Sequence, residues 1–382
     1  MRIRVRLPTV EPGEYSRPKE CPYEGCGGRF FRPHGLKGEK KAIRDLRYEQ
    51  VKSYRYRCLR CDRTFRVYPQ GVSQAQQSDL LKAITVLLYV LGLSYGAVED
   101  VLFALGVAVS KTTVYYNVQE AGIKSRSGQR ATVARGGKRA VISSDGTYVK
   151  VKGEQIGIQV VVDDQSGELL ALEVVVSENA DEVREIVEQV AEQVNAEVLV
   201  SDDLDVYKGV ADETGLDHQT CRSHIKRNVD DWAQSLLEQL KKNEPLPEGV
   251  KSSTERLPED VQTIQQLVRK RPPEAPDRLE KMYYRYMAAP VPKKGQRHTV
   301  WYRMRMRITR LWENWDRLTL DQRRDDLDGT NNSSERLIGW WIKERYRTMR
   351  GYKRTESIRN VVTLTARMGV RSGRYDMSEL YA

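Results

Sequence analysis

The sequence contains no apolar run long enough to cross a membrane. Its most apolar stretch, residues 83–93, is 11 residues long, whereas a membrane-spanning helix needs about 18 or more. The first residues alternate arginine with apolar side chains and show no apolar segment typical of a secretory signal. We therefore expect a cytoplasmic protein, associated with the nucleoid if it binds DNA, and no membrane partner.

The chain has fewer acidic residues than basic ones. The 382-residue chain has 64 Lys and Arg against 53 Asp and Glu, which gives a formal net charge of +11. An excess of positive charge of this size makes a polyanion such as nucleic acid the first partner to consider. Hydrophobic residues make up 39% of the chain, which is enough to build cores, and the length predicts two or three domains.

Cysteine is scarce, and four of the five cysteines fall into two pairs. Cys21 and Cys26 form a C-x4-C motif, and Cys58 and Cys61 form a C-x2-C motif. Two such knuckles can bind one Zn²⁺ tetrahedrally through four thiolates. Disulfides are disfavoured, because a reducing cytosol keeps thiols free. We therefore predict one structural Zn²⁺ in a zinc ribbon.

The next segment shows helical periodicity with two N-cap signals. Ser94 precedes one short helical pattern, and Ser110 precedes a second that begins with small polar and basic residues. Two short helices joined by a Gly-containing turn are typical of a helix-turn-helix, although a plain helical bundle gives the same pattern. The predicted DNA-binding residues in this segment are Ser110, Lys111, Thr112, Thr113 and Tyr115.

A basic stretch follows the two helices. Residues 124–138 contain three glycines and no acidic residue, which predicts a flexible linker. Its arginines Arg126, Arg130 and Arg135 could lie along a DNA backbone, or could simply be solvated.

The middle of the chain alternates between strands and helices. Three strands, a helix, a strand, a helix and a strand are predicted within residues 140–220. Asp145 lies on the first of these strands, and Asp202 follows the fourth directly. This order is that of a ribonuclease-H-like fold with its first two carboxylates in place. Asp203 and Asp205 compete with Asp202, but only Asp202 follows the apolar run at once.

A third carboxylate, Glu335, begins a helical stretch rich in Lys and Arg. Three carboxylates can hold two Mg²⁺ or Mn²⁺ ions about 3.5–4 Å apart, an arrangement that stabilises both the attacking and the leaving oxygen in phosphodiester chemistry. Beyond Glu335, the basic residues Lys343, Arg347 and Arg350 share one helix face. That face predicts a path for a DNA backbone, with a merely solvated surface as the alternative.

Two further features have competing interpretations. Cys221 and His224 form a C-x2-H motif; two ligands do not complete a metal site, so we interpret them as a structural pair on one helix face. Trp301 belongs to an apolar stripe on a helix predicted over residues 298–318. The stripe favours packing inside a helical module, and the alternative for Trp301 is stacking on an unpaired DNA base.

Taken together, these motifs resemble those of bacterial and archaeal DDE transposases of the Mutator-like branch. The resemblance covers about residues 20–370 and rests on Asp145, Ser201-Asp202-Asp203, Cys221-x-x-His224, and Asn331-Asn332-x-x-Glu335 followed by Ile342-Lys343-x-Arg345-x-Arg347. It implies an enzyme that cuts DNA at the ends of a mobile element and frees a 3′-hydroxyl, which then attacks a target phosphodiester. The partners implied are double-stranded DNA, both terminal repeats and target, and further copies of the chain in a homodimer or larger assembly.

The expected fold is multidomain α+β. A zinc ribbon and a helix-turn-helix precede a ribonuclease-H-like α/β core, and an all-helical insertion accounts for the 133 residues between Asp202 and Glu335. The predicted boundaries are 1–20 (N-terminal tail), 21–72 (ribbon), 73–123 (helix-turn-helix), 124–138 (linker), 139–229 (core), 230–329 (insertion), 330–369 (core) and 370–382 (C-terminal tail).

Two other functions remain open at this point. A nuclease or resolvase on the same fold would cut DNA without strand transfer, and the acidic residues alone do not separate the two. A domesticated DNA-binding regulator would need no catalysis, but the presence of all three carboxylates disfavours it.

Overall fold

The computed structural model describes residues 4–35, 38–73, 76–175, 180–242, 244–349, 352, 354–368 and 375–381. Short strands build its first part. They are β1 (Val5–Arg6), β2 (Glu11–Tyr15), β3 (Phe31–Pro33), β4 (Glu39–Ala42), β5 (Gln50–Cys58), β6 (Thr64–Val67) and β7 (Pro69–Gln70). The long strand β5 pairs antiparallel with β3, β4 and β6, so the second cysteine motif begins at the end of the central strand of a small ribbon.

Three helices follow the ribbon strands: α1 (Asp79–Val90), α2 (Tyr95–Ala104) and α3 (Lys111–Arg135). The two predicted caps are confirmed. The Ser94 hydroxyl accepts a hydrogen bond from the N–H of Ala97, and the Ser110 hydroxyl accepts one from the N–H of Thr113. Each satisfies a backbone donor that the first helical turn leaves without a partner.

The prediction of a flexible linker after the second helix is wrong. Residues 124–135 continue α3 without a break. The buried residues Ser125, Gln129 and Val133 recur every four positions, so this half of α3 has one face directed into the protein. Glycines lower helix propensity in isolation, but tertiary packing outweighs that cost in α3.

A five-stranded sheet forms the centre of the molecule. Its strands are β8 (Val141–Val151), β9 (Glu154–Asp163), β10 (Leu169–Val175), β11 (Val198–Ser201) and β12 (Asp217–Thr220), and the helices α4 (Ala180–Val194) and α5 (Asp205–Thr214) precede β11 and β12. The spatial order is β10-β9-β8-β11-β12. The first three strands are antiparallel, and β8, β11 and β12 are parallel. The predicted order of strands and helices is confirmed.

Helices then form a separate module. They are α6 (Arg222–Leu240), α7 (Leu257–Lys270), α8 (Ala275–Tyr286), α9 (Val300–Glu313) and α10 (Trp315–Leu318), and their apolar residues share one core. The prediction of one helix over residues 298–318 is wrong in one respect, because the helix breaks at Asn314. The side-chain amide of Asn314 donates to the backbone carbonyl of Arg310. Helix α6 also runs through residue 230, the predicted start of the insertion.

The chain returns to the sheet with α11 (Asn332–Leu337), a π-helical turn (Ile338–Lys343), α12 (Glu344–Met349), α13 (Thr355–Met368) and β13 (Tyr375–Asp376). The predicted terminal tails are wrong for their described parts. Strand β13 pairs in parallel with β1, and the following Met377 and Leu380 are buried. Apolar side chains at both ends of the chain thus find partners in the core.

The helices α1 to α3 do not have a core of their own. Their buried residues form one cluster with residues of β8, β9 and β10 and with the segments that follow residue 336. The long helix α3 packs along α13, where Asn360 donates to the side chain of Gln119 at 3.0 Å. None of the helices formed by the described residues is both long and apolar enough to span a bilayer.

Candidate active site

Two of the three predicted carboxylates lie at the same level of the sheet. Asp145 is in the middle of β8, and Asp202 follows the last residue of β11. Strand β11 pairs in parallel with β8, and Val200 lies opposite Ser143. Continuing that register by two residues aligns Asp202 with Asp145, because both pairs are 57 residues apart in sequence.

Glu335 reaches this level of the sheet from much later in the chain. It lies on α11, which is fixed to β8 by a buried hydrogen bond between the hydroxyls of Ser334 and Ser143, 3.0 Å apart. The neighbouring Ser333 donates to the backbone carbonyl of Asp164 at 2.7 Å. These two serine contacts set the position of the helix. The side chain of Glu335 is 37% exposed and lies close enough to Asp145 to affect its pKa.

The electrostatics of the site show that the carboxylates interact. Burial, followed by the charge of Asp202, raises the pKa of Asp145 to about 7, and Glu335 acts in the same direction. Burial also raises the pKa of Asp202. Repulsion between clustered carboxylates is relieved when a cation binds among them. The donor set therefore fits a hard divalent cation such as Mg²⁺.

The competing aspartates are engaged elsewhere. Asp203 is buried, and its carboxylate lies 2.8 Å from Nζ of Lys208 and 3.4 Å from the guanidinium of Arg310. Asp205 pairs with the same two cations at 3.4 and 3.0 Å. Asp202 is the aspartate of the three that couples to Asp145.

The pair interpreted from sequence as structural is part of the same site. Cys221 is the N-cap residue of α6, and His224 lies one turn later. Nδ1 of His224 is 3.4 Å from Oε1 of Glu335. The Cys221 thiol, and then Glu335, raise the pKa of His224 to about 9 against the opposing effect of burial. The C-x2-H spacing signals a shared helix face, but the contact with Glu335 is non-local, so sequence reasoning missed it.

A groove of about 640 Å³ runs along the segment after Glu335. Its lining includes Arg336, Trp340, Lys343 and Arg347, so two of the three predicted basic residues lie in it. The third, Arg350, lies outside the described residues. Sequence reasoning missed Trp340, which is 52% exposed.

Trp340 lies in the π-helical turn Ile338–Lys343. The residues that line the groove recur three or four positions apart, and Trp340 follows Arg336 by four. Residues at that spacing share one helix face, which places Trp340 in the same groove as Glu335. The available sequence signal was a pair of adjacent tryptophans inside a basic stretch.

The residues predicted to bind DNA at the start of α3 have different surroundings. Lys111 and Thr112 are exposed in its first turn. Ser110 caps the helix, and its hydroxyl is also 2.9 Å from that of Thr113. Tyr115 packs edge-to-face on a tyrosine of α2, with ring centroids 5.6 Å apart. Ser110, Lys111 and Thr112 are therefore the exposed candidates, and of these Lys111 and Thr112 are not engaged in capping the helix.

The arginines further along α3 also differ from one another. Arg126 pairs with Glu356 of α13 and donates to the side-chain oxygen of Asn360 at 3.2 Å, so it contributes to packing between two helices. Arg130 and Arg135 are exposed.

Trp301 is not available to a DNA base. Its side chain is fully buried in the helical module. The indole N–H donates to the backbone carbonyl of Pro245 at 3.1 Å. The alternative of base stacking is therefore wrong for Trp301, and packing of the apolar stripe is the interpretation that the structure bears out.

The four paired cysteines come together in the first part of the chain, which precedes all three carboxylates in sequence. Sγ of Cys21 is 3.8 Å from that of Cys61, and Sγ of Cys26 is 3.7 Å from that of Cys58. All four sulfurs lie within 4.8 Å of one another. A Cβ atom on Gly28 would lie 2.6 Å from the Cys58 sulfur, so this glycine leaves space for the cluster. The cluster could hold a structural zinc.

Comparison with known proteins gives the class of the protein. The family model that matches the chain describes a transposase of the DDE type. The match covers residues 74–348, and the chain belongs to the transposase IS66 family. No curated protein matches the chain significantly.

The family corrects one expectation from the sequence. The prediction of a DDE transposase is supported, but the Mutator-like branch is not confirmed, because IS66 is a different family. The motifs quoted for that resemblance are short, so they identify the class better than the branch. Membership in a transposase family implies DNA binding.

Proposed function

We propose that this transposase cuts DNA at the ends of a mobile element and joins the freed ends to target DNA. In this proposal Asp145, Asp202 and Glu335 bind two Mg²⁺ or Mn²⁺ ions. The observation that supports it is the placement of the three carboxylates on β8, directly after β11 and on α11. The register between β8 and β11 and the electrostatic coupling of Asp145 to both other residues support this ligand set.

A ribonuclease-H-like core is part of the proposal. The sheet order β10-β9-β8-β11-β12 supports it, with three antiparallel strands followed by two parallel additions. The helical module leaves the sheet after β12 and returns at α11. An insertion at that point lengthens the chain between the second and third carboxylates without interrupting a strand.

The roles of the residues follow from their contacts. Divalent cations, when bound, supply positive charge that stabilises the attacking and leaving oxygens at the scissile phosphate. Asp145 couples to both of the other carboxylates and would be the member of the set that helps to hold each cation. His224 lies against Glu335 and keeps that carboxylate oriented. Cleavage and joining are both in-line displacements at phosphorus, so one set of carboxylates can serve both.

Two surfaces are proposed to hold DNA. The groove with Trp340, Lys343 and Arg347 adjoins Glu335, so a phosphate backbone in it would pass the carboxylates. The first turn of α3, with Lys111 and Thr112, would read the terminal repeats as the second helix of a helix-turn-helix, together with the zinc ribbon. Because an element has two ends, we propose that a homodimer or larger assembly acts on them.

The test compares two neighbouring aspartates. The full-length chain is incubated with Mg²⁺, end-labelled DNA from the borders of its own element and a target plasmid. Asp202→Asn should lower end cleavage by more than about 10²-fold, since even outer-shell partners of a metal are worth about 10–100-fold. Asp205→Asn is the matched control, because Asp205 lies three residues away at the exposed start of α5 and its ion pairs are worth little.

The products of the same reaction separate the alternatives. Cleaved ends that are joined to the plasmid support transposition. Cleavage without a joined product would favour a nuclease or resolvase. Undiminished cleavage by Asp202→Asn would overturn the assignment of the carboxylates.

A further inference from the structure

A second cluster of metal-ligating atoms lies beside the candidate carboxylates. It consists of Sγ of Cys221, a ring nitrogen of His224 and a carboxylate oxygen of Glu335, all within 4.8 Å of one another. The closest approach of histidine to glutamate is 3.4 Å, between Nδ1 and Oε1. Ligands around a tetrahedral zinc ion are separated by a little less than about 4 Å, given bond lengths of about 2.0–2.3 Å. The cluster is therefore of a size that one ion can close.

The surroundings leave these atoms available to an ion. Nδ1 of His224 is buried and, within the part of the chain that the structure describes, makes no aligned hydrogen bond. Burial without a partner is costly for a polar atom. Cys221 is 1% exposed, so its sulfur faces the interior of the site rather than solvent.

The backbone around the three ligands is firmly held. The N–H of Cys221 donates to the carbonyl of Ser201 at 2.7 Å, and the N–H of Glu335 donates to the carbonyl of Asn331 at 3.1 Å. Cys221 and His224 are three positions apart at the start of α6, so they share a face. The ligands are thus positioned by the fold, which lowers the ordering cost of binding an ion.

We propose that Cys221, His224 and Glu335 form a second zinc site, distinct from the tetra-cysteine cluster of the ribbon. A sulfur, a nitrogen and an oxygen ligand together select a borderline-soft ion such as Zn²⁺, whereas Mg²⁺ prefers oxygen alone. Three protein ligands leave one position open, in contrast to the closed shell of four cysteines.

The shared ligand gives the site a consequence for activity, and this part rests on the proposed function. Glu335 belongs both to the sulfur-containing cluster and to the proposed Mg²⁺ ligand set. Zinc bound through Glu335 would withdraw it from the hard-cation site. The proposal thereby predicts that excess zinc lowers Mg²⁺-dependent cleavage, and that cleavage by Cys221→Ser is less sensitive to zinc than cleavage by the wild type.

The test counts zinc in the intact protein. Purified full-length chain is saturated with Zn²⁺, freed of weakly bound metal by gel filtration and analysed for zinc per chain. We expect a second equivalent in the wild type and its loss in Cys221→Ser, with the ribbon equivalent retained. Substitution with Co²⁺ adds a signature that a structural role does not give, since the visible absorption of a site with one sulfur differs from that of a four-sulfur site.

A second variant covers the case in which Cys221→Ser fails to fold. Glu335→Gln removes a partly exposed charge and leaves the thiol and imidazole in place, so it should fold, bind the second zinc more weakly and alter the Co²⁺ spectrum. A single zinc equivalent in the wild type, or a second equivalent that survives both substitutions, would overturn the proposal. Zinc content does not depend on DNA cleavage, so failure of this site and failure of the transposase assignment give different results.

Discussion

The two candidate metal centres of this protein are built in opposite ways. The cysteine cluster collects its ligands from two short knuckles, Cys21 with Cys26 and Cys58 with Cys61. The carboxylate centre collects Asp145, Asp202 and Glu335 from two strands and a helix that an entire helical module separates. The first centre depends on local spacing, and the second on the register of a sheet and on the packing of one returning helix.

That difference implies different sensitivities. A centre made by local turns can be lost without affecting the rest of the protein. A centre made by long-range packing depends on every contact that sets the register, including the serine pair between α11 and β8 and the packing of α3 on α13. Four sets of variants can test whether the two centres are independent, from the largest expected effect to the smallest.

The largest effect is expected from loss of one ribbon thiolate. Cys58 is fully buried, and structural zinc contributes about 10–16 kcal/mol of binding free energy in small zinc domains. Cys58→Ser should abolish hydrogen-exchange protection of β3, β5 and β6, while the sheet that carries Asp145 keeps its protection. Loss of protection in both regions would show that the centres are coupled.

Overpacking between α3 and α13 should impair the carboxylate centre and leave the cysteine cluster unaffected. A Cβ on Gly122 would lie 2.5 Å from Cβ of Asn360 and 2.8 Å from its backbone oxygen. Gly122→Ala should lower the free energy of unfolding in urea by about 1–3 kcal/mol and reduce cleavage, with zinc content unchanged. The control is Gly209→Ala in α5, where a Cβ meets open space and alanine should stabilise the helix by about 0.5–1 kcal/mol. A similar loss in both variants would count against the steric explanation.

A smaller effect is expected at the ribbon glycine. Because a Cβ on Gly28 would approach the Cys58 sulfur, Gly28→Ala should weaken zinc binding about tenfold, which corresponds to about 1.4 kcal/mol. Competition with a chromophoric chelator measures this. Gly13→Ala is the matched control, since a Cβ there meets nothing within 4 Å. An equal weakening of zinc binding in that variant would show that contact with the Cys58 sulfur is not the cause.

The smallest effect at neutral pH is expected on the carboxylate side, from a group whose contribution to stability changes only in acid. His218 on β12 is buried; its Nδ1 lies 3.2 Å from Arg317, and its Nε2 lies 2.8 Å from the Ser201 hydroxyl. Because arginine only donates, Nε2 carries the proton and donates to Ser201. Burial, and then the charge of Arg317, lower the pKa of His218 to about 3.

The sign of the pH dependence follows from this shift. Between pH 6.5 and about 3, His218 is protonated in the unfolded state and neutral in the folded state. The free energy of unfolding therefore falls as the pH falls, by about 1.4 kcal/mol per unit for this one group. His218→Gln should flatten the dependence of urea unfolding on pH in this window. An unchanged slope in the variant would exclude His218 as its source.

The sequence predicts local features of this fold well. The N-caps Ser94 and Ser110, the strand order around Asp145 and the four paired cysteines are each visible within a few residues. The carboxylates Asp145 and Asp202 can be named from the apolar runs that precede them, but their alignment depends on which strands pair, and no local pattern encodes that.

The features that sequence reasoning missed depend on distant partners. The second half of α3 reads as a linker because it contains Gly128 and many basic residues. The close packing of Gly128 against Arg367 of α13 is not visible in any local pattern. The contact of His224 with Glu335 depends on where α11 returns to the sheet, and the exposure of Trp340 depends on how the helical segment after α11 packs. Each of these is a tertiary effect that outweighs local propensity.

The pairing of β1 with β13 joins two strands that are synthesised at very different times. About 370 residues separate the partners Val5 and Tyr375, and ribosomes add roughly 5–20 residues per second. The first strand therefore waits for about 20–75 s during synthesis before its partner leaves the ribosome. If release of this strand opens the core around it, newly made transposase would be held inactive until residue 375 has been synthesised.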